Sequence, residues 1–122
     1  MSKIVPRLHD IECLEWDGTP VRTRKPMSFA LTVEIGHDGG RGVDLFRLSI
    51  CNPAFLSEEA EEALWVWRSQ MLVLETLSLE NVRAAIEQKI SALAPYESWP
   101  EFGTKMAPYM EWEFAGQPPP FA

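Results

Sequence analysis

Two runs of strictly alternating residues constrain this chain more than anything else in it. Phe29, Leu31, Val33 and Ile35 alternate with Ala30, Thr32 and Glu34, and Phe46, Leu48 and Ile50 alternate with Arg47 and Ser49. A period of two places every second side chain on one face, so each run reads as a half-buried strand. Between them lies Gly36-His37-Asp38-Gly39-Gly40-Arg41-Gly42, rich in residues that tolerate positive φ. The two strands are therefore expected to pair as an antiparallel hairpin. A hairpin with one apolar face needs a second layer to cover it.

The rest of the chain supplies that layer. Leu79, Val82, Ile86, Ile90 and Leu93 recur at spacings of three and four, which lines one face of a helix. Ser78 is its expected N-cap, and the helix should end before Pro95. Ser98-Trp99-Pro100-Glu101 is a capping box with proline in the first turn, opening a short helix toward Ala107. Ser57, followed by Glu58 and Glu59, predicts a further short helix from Glu58 to about Leu64. Met71-Leu72-Val73-Leu74 reads as a buried strand beginning near Ser69. Ile4 to Leu8 reads as a short edge strand because Pro6 cannot donate to a ladder. Tyr109 to Phe114 alternates again and suits a closing strand. Residues 9–27 form a polar, turn-rich connection with Trp16 as the one anchor. The simplest layered solution is an α+β fold, a mostly antiparallel sheet of about five strands with two to three helices packed on one face. At 122 residues the chain suits a single domain spanning 1–122, with a turn-rich segment at 1–27 and a proline-rich tail at 115–122.

Charge narrows the partners. The formal net charge is -7. Residues 1–52 hold seven basic and seven acidic side chains, whereas residues 53–122 hold four and eleven, so the whole excess lies in the second part. Direct nucleic-acid binding needs a basic surface to neutralise phosphates and is disfavoured. A basic protein partner, steered in by opposite charge, is favoured, with solubility alone as the competing explanation. No run approaches the roughly 18 apolar residues that would span a membrane. The N-terminal residues carry one basic side chain and no apolar stretch after it, so a cytoplasmic location is expected. Cys13 and Cys51 are then expected as free thiols, with Cys51 buried.

Groups that could do chemistry are sparse. His9 and His37 each neighbour an aspartate, but no nucleophile stands at a spacing that makes either a general base. Cys13 lies four residues after His9, but no further histidine or cysteine stands near enough in sequence to complete a ligand set, so no metal or cofactor is expected. The Gly36–Gly42 loop lacks a Gly-Lys-Ser/Thr ending and joins two strands, which excludes a phosphate loop. Acidic and aromatic residues remain. Glu58, Glu59, Glu61 and Glu62 crowd one segment next to Trp65 and Trp67, and Glu111 and Glu113 flank Trp112. Tryptophan beside carboxylates is the makeup of a protein-binding hot spot. Most of the five tryptophans should still serve as anchors in or near the core. Glu58, Glu59, Glu61, Glu62, Trp65, Trp67, Glu111 and Glu113 are the expected contact residues. The other readings are a small-molecule or enzymatic pocket near the Gly36–Gly42 loop, and a homo-oligomeric adaptor that pairs through a sheet edge.

A family resemblance points the same way. Phe29-Ala30-Leu31-Thr32-Val33-Glu34-Ile35-Gly36, then Asp44 to Leu56 with its Cys51-Asn52-Pro53-Ala54-Phe55-Leu56 corner, resemble the front half of the immunity protein 8 family. The strand around Met71, the helix from Leu79, Ser98-Trp99 and Glu111-Trp112-Glu113-Phe114 follow in matching order. The resemblance covers roughly residues 28–114. After Phe114 this chain has Ala115-Gly116-Gln117, where the family often continues with acidic and tyrosine residues. The resemblance implies a non-catalytic immunity protein that binds and neutralises the cognate toxin domain of a bacterial polymorphic toxin system. It supplies no binding residues, and a basic nuclease is one partner that the charge would suit.

Overall fold

The computed structural model describes residues 3–38, 40 and 42–114. Its elements are β1 (Pro6–Glu12), β2 (Ser28–His37), β3 (Asp44–Cys51), α1 (Pro53–Ala63), β4 (Met71–Val73), α2 (Leu79–Leu93), α3 (Trp99–Met106) and β5 (Glu111–Trp112). This is the α+β fold that the alternation and helical spacing predict, in the expected order. The tail expected at 115–122, and Gly39 and Arg41 of the hairpin loop, lie outside the described residues.

The hairpin forms the centre of the sheet. β2 and β3 pair antiparallel with Leu31 opposite Leu48 and Val33 opposite Phe46, and all four side chains are buried. β1 pairs with the other edge of β2, Leu8 opposite Ile35 and Ile11 opposite Val33. Residues three apart would normally face opposite ways. A bulge between Leu8 and Asp10 resets the alternation, so both Leu8 and Ile11 reach the core. The strand therefore continues past Leu8, where a strict period of two breaks.

The far edge of β3 is divided. β5 runs antiparallel to Phe46 and Arg47, and β4 runs parallel to Ser49–Cys51. Gln70 closes the gap between them. Its carbonyl accepts from the Ser49 N–H at 3.1 Å, its own N–H donates to Pro108 O at 3.0 Å, and its side chain donates to Ala107 O at 2.9 Å. β5 is shorter than the alternation suggests because the Tyr109 and Met110 N–H groups both donate to Met106 O at 2.8 Å. Those bonds hold the two residues in a turn.

Two helices cover the sheet. α2 buries Val82, Ile86 and Ile90, and α3 buries Phe102, Gly103 and Met106. Phe102 packs edge-on to Phe46 (5.7 Å) and Tyr96 (5.0 Å) and stacks on Trp99 (4.9 Å). The carboxylate of Asp44 accepts both indole N–H groups of Trp99 (2.6 Å) and Trp112 (2.9 Å), which ties β3 to α3 and β5. A Cβ on Gly103 would lie 2.5 Å from the Trp112 ring, so only glycine lets α3 come this close. Trp16 is the anchor of its loop, stacked on Phe29 with 5.3 Å between ring centroids.

α1 departs from expectation at both ends. It starts at Pro53, not Glu58, and its cap is Asn52, not the exposed Ser57. Asn52 is 1% exposed. Its Oδ1 accepts from the N–H groups of Phe55 (3.1 Å) and Met27 (3.0 Å), and its Nδ2 donates to the carbonyls of Thr23 (3.2 Å) and Lys25 (2.7 Å). Proline at the first helical position needs no N–H partner there, so Asn-Pro starts a helix earlier than Ser57 could. α1 buries no residue, which leaves α2 and α3 as the helices packed on the core face.

Asn52→Ala removes the cap and four part-buried hydrogen bonds to backbone groups. It is expected to lower the unfolding free energy by about 3 kcal/mol. Ser57→Ala should cost less than about 0.5 kcal/mol, as an exposed substitution away from any cap. Equilibrium urea denaturation measures both, and equal losses would remove Asn52 from its role.

Candidate functional surface

Four carboxylates stand on the first helix and no basic residue stands among them. Glu58, Glu61 and Glu62 of α1 are exposed, and Glu59 is half-buried and paired with Arg68. Among the described residues no ion pair involves Glu58, Glu61 or Glu62. α1 ends at Leu64, whose backbone is left-handed with φ 74°. The chain then runs irregularly to Gln70, also left-handed at φ 57°, before entering β4. Among the described residues these are the two non-glycine positions with positive φ, and they bracket the segment. Such backbone costs roughly 1–2 kcal/mol per residue and tends to gather where function imposes it.

What the segment presents is aromatic. Leu64 is 82% exposed, Trp65 66% and Trp67 88%. The other three tryptophans are half-buried and packed against the core. Trp65, Val66 and Trp67 border a shallow hollow of about 420 Å³ together with Glu59, Glu62 and Arg68. Six of the expected contact residues, Glu58, Glu59, Glu61, Glu62, Trp65 and Trp67, thus fall on one helix and the segment that follows it. Leu64 joins them, and its exposure could not be read from the sequence because it continues the apolar spacing of the helix.

The remaining two are elsewhere and differ from each other. Glu111 is exposed on β5 opposite Arg47. Glu113 lies beyond the end of β5. Its Oε1 accepts from the Leu45 N–H at 3.0 Å, and its own N–H donates to Leu45 O at 3.0 Å. The expected alternation of these two on one strand is absent, since β5 stops at Trp112. Glu113 holds the edge of β3.

Other polar groups are arranged for structure. His37 rests on Trp99 with 4.9 Å between ring centroids, and its Nδ1 lies 3.2 Å from Asp38 O. Arg7 grips Asp38 with two bonds of 3.0 and 3.1 Å, and this hydrogen bonding holds the Asp38 carboxyl below its usual range. Strand pairing also gathers Asp10, Glu12 and Glu34, whose carboxylate oxygens lie within 4.8 Å of one another. Their separation in sequence hides this cluster, which adds to the acidic exterior. Among the described residues no helix is long and apolar enough to cross a membrane.

The family model for immunity protein 8 matches residues 8–116. The chain belongs to the immunity protein 8 family. The match extends beyond the stretch that carries the resembling motifs, taking in β1 from Leu8 onward and the Trp16 connection. No curated protein and no solved structure matches the chain. In this immunity protein 8 chain both cysteines are free, Cys51 buried and Cys13 half-buried. Burial pushes the Cys51 thiol up, away from the reactive thiolate. A thiol reagent at pH 8 is therefore expected to modify Cys13 readily and Cys51 only after unfolding, as mass spectrometry of the labelled peptides would show. Rapid native labelling of Cys51 would contradict its placement.

Proposed function

We propose that this protein is a non-catalytic immunity protein that neutralises a cognate toxin domain by binding it through α1 and residues 64–68. One observation carries the reading. Two tryptophans and a leucine stand exposed just past a helix with no fully buried residue, beside Glu58, Glu61 and Glu62, which have no counter-ion among the described residues. Exposing this much apolar surface is unfavourable unless another molecule covers it. A covered tryptophan in the centre of an interface is commonly worth 2 kcal/mol or more. Three unpaired glutamates would steer a basic partner toward the same place. The basic substrate groove of a nuclease is the toxin surface that this chemistry suits best. Binding there would block the groove without any reaction on this chain and without a cofactor, in the cytoplasm of the producing cell. Contact by Glu111 is a secondary element of the proposal, since it stands apart from the tryptophans.

A self-pairing adaptor has less support. The long edge strand of the sheet is β1, where a bulge and the charged Arg7, Asp10 and Glu12 blunt strand addition, and the opposite edge offers only the short β4 and β5.

The test uses a cognate toxin domain. Trp65→Ala combined with Trp67→Ala is expected to weaken binding about 100-fold and to leave the melting temperature unchanged. Replacing Glu58, Glu61 and Glu62 by Gln leaves the Glu59–Arg68 pair intact. It should slow association about tenfold at low salt and flatten the salt dependence, with little change in dissociation. Stopped-flow kinetics read both. Wild-type affinity in the tryptophan double variant would refute this surface as the contact.

A further inference from the structure

A second hollow lies on the other side of Arg68, between β4, α2 and the turn at 107–110, and its chemistry differs from that of the acidic surface. Its volume is about 290 Å³, near the lower limit of roughly 300 Å³ for sites that take small molecules. The floor is apolar, made by Met71, Leu72, Ile86, Met106 and Met110. Three thioethers make a floor that adapts to the shape of what enters. One wall is fixed in advance, because Gln70 bonds both Ala107 and Pro108.

The charge around this hollow is the informative feature. Arg68 and Lys89 line it, and no carboxylate does, although the chain carries 18 acidic residues. Arg68 is already paired with Glu59. Lys89 sits 4.3 Å from the centre of the Tyr109 ring, and no ion pair among the described residues neutralises it. A cation at the mouth of an apolar cavity, with low-dielectric walls on one side, attracts an anion more strongly than one in open solvent. We propose that this hollow binds an apolar group that ends in a carboxylate, with the apolar part on the methionines and the carboxylate against Lys89. An arylalkanoic acid and the C-terminal phenylalanine of a peptide share that chemistry. The proposal is independent of the toxin reading, and either can fail without the other.

The methionines report the outcome directly. The chain has five, three of them in this floor, whereas Met27 borders a different hollow. The protein, labelled with ¹³C at its methionine methyl groups, is titrated with 4-phenylbutyrate and with 4-phenylbutyramide. Saturable shifts are expected at Met71, Met106 and Met110 while Met27 stays in place, with the acid binding about tenfold more tightly than the amide. Lys89→Met keeps the apolar stem and should abolish that preference. A parallel titration uses the peptide Gly-Gly-Gly-Phe with a free or an amidated C-terminus. Carboxylate-dependent shifts with the peptide assign the site to a chain end, and shifts with the free acid alone assign it to a small molecule. If neither acid shifts the three methyl groups, or if acid and amide bind equally to the wild-type protein, the proposal is overturned.

Discussion

The buried amide of Asn52 uses its whole hydrogen-bonding capacity. It receives two backbone N–H groups and donates to two backbone carbonyls, so the strap at 23–27, the end of β3 and the first turn of α1 meet at one side chain. A buried polar group is costly when unpaired and rigidifying when fully paired. This one is fully paired, and it determines where α1 leaves the sheet. From that exit the chain must return to lay β4 parallel to Ser49–Cys51, since β5 holds the other part of the same edge.

A helix that links two parallel neighbouring strands ordinarily packs on a sheet face and buries an apolar stripe there. α1 does not. The core is closed by α2, α3 and the aromatic group around Phe102, which leaves α1 with no residue buried. Its sequence agrees with that freedom, with four glutamates in eleven residues and little for a core to use. The helix is fixed at its start by Asn52 and past its end by the Glu59–Arg68 pair and Gln70. Between those points lie the exposed Leu64, Trp65 and Trp67, in an irregular segment bracketed by the positive φ of Leu64 and Gln70. Membership of the immunity protein 8 family supports an immunity role, and this arrangement is what the proposal of a covered partner surface rests on.

Much of the frame could be read from spacing. The alternation in 29–35 and 46–50 and the three-and-four spacing of 79–93 survive unchanged, because each pattern states which face meets the core. The departures have local causes. Asn52-Pro53 competes with Ser57 for the start of α1 and wins through the reach of the buried amide to Phe55. His9 is the extra residue of a bulge, so β1 continues where strict alternation stops. Met106 O captures two N–H groups and shortens β5. The tryptophans show the limit most clearly. All five are alike in the sequence, and Trp99 and Trp112 are drawn inward by a shared acceptor, Asp44, that lies 55 and 68 residues away. Trp65 and Trp67 have no such partner and remain outside.

The most direct test of the account is amide hydrogen exchange of this protein alone and in complex with a cognate toxin domain. New protection centred on residues 58–68, with β1 and the outer side of β2 unchanged, is the predicted result. Protection confined to the open face of the sheet, with residues 58–68 exchanging as they do in the free protein, would contradict it.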